Sequence, residues 1–144
     1  MNRVLGTLAG IALFASLATP MAARAEDKDT IEYRQRIMKT MGEQAGALGL
    51  MAQKKIPGDN FAAHLQILAE TAALAKSAFT PKVAGGTVKG TAVWDNWADF
   101  SKKMDELVQV ADAGAKAAKA QGLAAGMPRL TCRGCHDTYR EEKK

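Results

Sequence analysis

Near the C-terminus, Cys132-Arg133-Gly134-Cys135-His136 spells C-x-x-C-H, and it contains both cysteines of the chain. This spacing reads as a c-type haem attachment motif. Each thiol can add across one haem vinyl group to form a thioether, and the neighbouring imidazole can bind the iron. On a helix, positions 132, 135 and 136 are three and four residues apart and share one face. The expected assignments are Cys132 and Cys135 as covalent anchors of one haem c and His136 as its proximal iron ligand.

Other uses of the motif fit less well. A redox dithiol of the thioredoxin type needs a βαβ setting, which this sequence lacks. A disulfide closing so short a loop would stabilise little. Zinc would need a fourth ligand, and the only other histidine is the distant His64.

The N-terminus points to export. Residues 1–25 start with Arg3, run through an apolar stretch from Val4 to Leu17 and finish Ala23-Arg24-Ala25. A basic start, a short apolar middle and an A-x-A finish describe a cleaved secretory signal peptide. The apolar run is too short and broken for a transmembrane span. Removing these 25 of 144 residues leaves 119, residues 26–144, a length suited to one soluble domain in the periplasm. Losing Arg3 and Arg24 lowers the net charge from +5 to +3, and no basic stripe suggests nucleic acid.

The elements that must position the motif read as helices. Alanine is abundant, β-branched residues are sparse and no period-two alternation persists. The first helix is expected from about Thr30 to Gln53, with Ile31, Arg34, Met38, Met41, Ala45, Leu48 and Ala52 facing inward. Ile56-Pro57-Gly58-Asp59 breaks it, and Asp59 or Asn60 is placed to cap the next helix. The second carries Phe61, Leu65, Leu68, Ala72, Ala75 and Phe79. Gly85 to Gly90 form a loop without nucleotide-binding spacing. A third helix starts near Thr91 or Ala92 and presents Trp97, Phe100, Met104, Leu107, Ala111 and Ala115, with Gly114 a small cost inside it. Gly122 interrupts, and a last helix carries the haem motif. The expected fold is all-α, an antiparallel four-helix bundle with its cofactor between facing helices.

A C-terminal C-x-x-C-H on the last of four helices resembles the class II cytochromes c, the cytochrome c′ family. Tyr33-Arg34-Gln35-Arg36-Ile37-Met38 is similar to the family's first-helix motif, and Cys135-His136-Asp137-Thr138-Tyr139-Arg140 to its proximal segment. Phe79 before Pro81, and Trp94 with Phe100, resemble its aromatic positions. The resemblance covers nearly all of residues 26–144. It implies that Met38 faces the distal side of the haem, with Met41 as second candidate. Met38-Lys39-Thr40-Met41-Gly42 followed by Ala47-Leu48-Gly49 looks like the low-spin branch, in which that methionine binds iron. Gly42, one turn after Met38, would allow close approach of the helix backbone.

Arg34 lies on the inward stripe, where an unpaired charge is costly, and a haem propionate is its expected partner. Arg140, one turn beyond His136, could shield the imidazole, reach a propionate or remain an exposed cation. Trp94 or Trp97 is expected against the porphyrin edge, and His64 at the bundle boundary. The leading expectation is a periplasmic electron carrier with His136/Met38 ligation, working by outer-sphere transfer with redox partner proteins. The alternative is a five-coordinate protein binding nitric oxide or carbon monoxide at an open distal face. An enzyme is not expected, because no distal histidine is available to move peroxide protons. Cytochromes c′ often pair through their first two helices, and the pattern leaves a homodimer open.

Overall fold

In the computed structural model, residues 20–128, 130 and 132–142 are described, with side chains from residue 27 onward. The expected signal segment, residues 1–25, lies outside them apart from the helical backbone of 20–25. The helical composition gives α1 (Pro20–Ala52), α2 (Phe61–Ala78), α3 (Ala92–Asp95), α4 (Trp97–Gln121) and α5 (Cys132–Tyr139). With α3 and α4 acting as one interrupted helix, this is the expected all-α four-helix bundle. Among the described residues, no helix is long and apolar enough to cross a membrane.

The second helix matches its pattern at every position. Phe61, Leu65, Leu68, Ala72, Ala75 and Phe79 are all buried, because α2 packs against both α1 and α4. Burial of a side chain the size of Phe61 is worth about 2–3 kcal/mol. Lys76 Nζ reaches both carboxylate oxygens of Asp105 across the α2–α4 seam, at 2.8 and 2.7 Å. Asn60 occupies the N-cap position of α2, but its side chain makes no capping hydrogen bond.

The first helix departs from its expected stripe. Arg34, Met41 and Leu48 are buried as expected, but Ile37 and Met51 join them, while Ile31, Met38, Ala45 and Ala52 are half-buried. The buried side turns toward α2, which leaves Met38 on the wall of a cleft instead of in the core. The helix ends in a Schellman motif. Lys55 N–H donates to Leu50 O at 3.0 Å and Lys54 N–H to Met51 O at 2.9 Å. Lys54 takes the left-handed conformation, φ 57°, that glycine usually fills there.

The expected third helix is broken at Asn96 (φ −122°, ψ 39°). The Asn96 amide donates to Ala92 O at 3.3 Å, and the Thr91 hydroxyl donates to Asp95 Oδ2 at 2.6 Å. Such short polar side chains compete with the helical backbone for partners. Gly114 lies inside an unbroken α4, as expected, where a Cβ would come within 2.8 Å of Gly126 O. Small residues at this crossing let the turn after Gly122 fold back onto α4.

Candidate functional site

The last helix brings the motif together. Cys132 is exposed, Cys135 and His136 are half-buried, and both cysteines are free thiols. Burial pushes the Cys135 thiol up, opposed by the charge of Lys103. Burial also pulls His136 below its ordinary value, aided by the Arg140 charge and opposed by Asp137. The imidazole is therefore neutral at neutral pH, the form whose ring nitrogen has a lone pair for a metal. Among the described residues, no three His, Cys, Asp or Glu side chains gather into a metal cluster.

Packing at the end of α5 holds it in place. The Tyr139 ring meets Phe100 edge-on, with centroids 5.4 Å apart, and its hydroxyl donates to Asp99 Oδ2 at 2.5 Å. Burial and this hydrogen bond raise the Tyr139 phenol to about 12. Asp99 is pulled below the usual carboxylate range by its hydrogen bonds to Lys103 and Tyr139. Arg140 is exposed; its backbone N–H donates to His136 O at 3.0 Å, and it pairs with Val88 in an antiparallel bridge.

A second group of candidate residues comes from α1 and the segments that follow α2. Arg34, Met38, Phe79 and Val88 line one cleft. Arg34 is only 2% exposed. Its Nη2 donates to Val83 O at 2.6 Å, and its guanidinium carbon lies 5.1 Å from the Phe79 ring centroid and 5.4 Å from that of Trp94. Burial lowers its pKa, but a guanidinium stays charged at any ordinary pH. Its Nη1 is buried with no hydrogen-bond partner among the described residues. A buried, charged donor with nothing to bind calls for an anionic acceptor, and a haem propionate has that chemistry. The donor set therefore fits the group that the C-x-x-C-H motif implies.

Several expected residues can now be placed. Met41 lies in the apolar core, so of the two methionines Met38 alone borders the cleft. Gly42 is exposed, and a Cβ there would meet nothing within 4 Å. Trp94 donates its indole N–H to Phe79 O at 2.8 Å, while Trp97 stacks at 5.7 Å on Phe100. His64 Nδ1 lies 2.7 Å from Gln44 Oε1, a boundary contact between α2 and α1. Sequence reasoning missed the Asp99–Tyr139 pair. Tyr139 carried a signal, lying three residues after His136 on the same helix; Asp99, forty residues earlier, carried none.

The Cytochrome C′ family model matches residues 29–140. The chain is 33% identical over 135 residues to a cytochrome c′ from Halomonas halodenitrificans, covering 82% of this chain and 100% of that protein. It is 32% identical over 123 residues to a cytochrome c-556 from Agrobacterium tumefaciens, covering 81% and 98%. It is 29% identical over 127 residues to a cytochrome c′ from Alcaligenes xylosoxydans xylosoxydans, covering 83% and 98%. No solved structure is significantly similar to it.

Proposed function

Because the chain belongs to the cytochrome c′ family, we propose that His136 holds the iron of its haem and that the distal face stays open behind Met38, ready for nitric oxide or carbon monoxide. Members of the family bind one covalent haem c, and this protein is accordingly a monohaem c-type cytochrome. When bound, the haem would supply a one-electron ferric–ferrous couple and an iron able to take a diatomic ligand. Cys132 and Cys135 provide the thioether anchors, and Arg34 offers its free Nη1 to a propionate.

The family is typically five-coordinate and high-spin, which reverses the order of the two readings drawn from the sequence. The observation that carries this reading is the seat of Met38. Its side chain is half-buried on a cleft wall with Ile31, Phe79 and Val88, where an unligated thioether would stand as a steric gate before a small neutral ligand. His136/Met38 ligation in an electron carrier is the second reading. It is favoured by a thioether in that cleft and by open space at Gly42.

Residues 1–25 are part of the same proposal as a cleaved signal peptide delivering the protein to the periplasm. Redox partner proteins would supply the electron that keeps the iron ferrous. Pairing of two copies belongs to the proposal as well, since members of the family are often dimers.

Met38→Ala separates the two readings. With an open face, the variant keeps a high-spin spectrum and binds carbon monoxide faster than wild type, because a steric gate has been removed. Conversion of a low-spin wild type to high spin by the same substitution would instead make Met38 a ligand.

A further inference from the structure

Asp99 and Tyr139 join α4 to the end of α5. Tyr139 is 5% exposed and occupies the end of α5, three residues after His136. Its hydroxyl donates to Asp99 on α4, and its carbonyl accepts the Lys89 N–H at 3.0 Å. Two residues on, Glu141 N–H donates to Thr87 O at 3.0 Å, so Val88 and Arg140 pair as a short antiparallel bridge. Thr87 and Val88 also line the cleft beside Met38. A segment lining the Met38 cleft is thus tied by its backbone to the helix that carries the C-x-x-C-H motif.

Asp99 is itself held in orientation. Lys103, one turn later on α4, donates to both of its carboxylate oxygens at 2.7 and 2.9 Å. A carboxylate fixed in this way gives the buried phenol one preferred position, and groups that orient the carrier of a metal ligand tune the metal.

We infer that Asp99 is a positioning residue of the haem site, acting through the Tyr139 hydroxyl to fix the end of α5, and with it both the plane of the His136 imidazole and the seat of Thr87–Lys89 against the Met38 cleft. The inference rests on His136 being the iron ligand, but not on whether Met38 binds iron.

The test uses haem-loaded Tyr139→Phe, Asp99→Ala and the double variant. Tyr139→Phe keeps the ring on Phe100, and Asp99 is half-exposed, so both are expected to fold. Two quantities are measured: the hyperfine-shifted haem-methyl proton resonances of the ferric protein, which follow the plane of the axial imidazole, and amide exchange at Lys89. Each single variant should shift the methyl pattern in the same direction, and the double variant should shift it no further. Exchange at Lys89 should rise about tenfold in all three, as expected for loss of one charge-assisted hydrogen bond. An unchanged methyl pattern, even with a lowered melting temperature, would overturn the inference and leave the pair a structural contact. Additive shifts in the double variant would also overturn it, since Asp99 would then act by another route. His136→Ala tests the premise separately: a wild-type methyl pattern in that variant would remove His136 from the iron.

Discussion

Partial burial pulls the His136 imidazole below its ordinary value, and the Arg140 charge one turn away lowers it further. The same residue scale explains Arg34, whose charge is clasped by two aromatic rings and the carbonyls of Thr30 and Val83, while Nη1 has no partner among the described residues. If a propionate completes it, Arg34→Leu removes a positive charge beside the haem and disfavours the reduced form, which carries one positive charge fewer, more than the oxidised one. The reduction potential should then fall by roughly 50 mV, corresponding to about 1 kcal/mol of lost charge interaction in a one-electron couple. An unaltered potential would detach Arg34 from the haem. Cys132→Ala and Cys135→Ala should each leave one thioether, and mass spectrometry of the haem-bound peptide counts them directly. These residues were legible in the sequence because covalent attachment demands a fixed spacing and a buried arginine demands a partner. The half-buried seat of Met38 was not legible, since a stripe of threes and fours does not say which of two adjacent positions, Ile37 or Met38, faces the neighbouring helix.

Among the elements, α2 was the most legible, because it is flanked on two sides and its apolar positions have no other place to go. The break at Asn96 was not, because it depends on one side chain turning back to Ala92 O. The end of α1 offers a sharp test. Lys54 holds a left-handed conformation that costs a non-glycine residue about 1 kcal/mol. Lys54→Gly should therefore raise stability by a few tenths to about 1 kcal/mol, after allowance for glycine's greater freedom in the unfolded chain. Urea denaturation would detect it as a higher midpoint at unchanged slope. Gly126→Ala should do the opposite. Its Cβ would press on Ala118 and come within 2.6 Å of Gly114 O, and overpacking of this kind costs about 1–3 kcal/mol. A neutral Gly126→Ala would mean that the turn after α4 is free to shift.

At the scale of the whole molecule, the bundle closes through the Tyr139 contacts between α5, α4 and the segment before α3. The phenol is raised from 10.0 to about 12 in the folded protein, so between those values the folded state holds a proton that the unfolded state has released. Stability must then fall as pH rises from about 10 to about 12, by at most about 1.4 kcal/mol per pH unit. Subtracting the pH profile of Tyr139→Phe isolates this contribution from titrating lysines; identical profiles would show that the phenol is not perturbed. The four-helix architecture was legible from helical periodicity and the terminal motif, whereas the tie between α5 and residues 87–89 is a backbone contact that no side-chain pattern encodes. The account turns on the iron's distal face, and the visible absorption spectrum of the haem-loaded protein, oxidised and reduced, with and without carbon monoxide, addresses it most directly. An open face behind Met38 predicts broad, unresolved reduced bands that shift promptly with carbon monoxide. Sharp, resolved α and β bands that carbon monoxide does not move would contradict it and make Met38 an iron ligand.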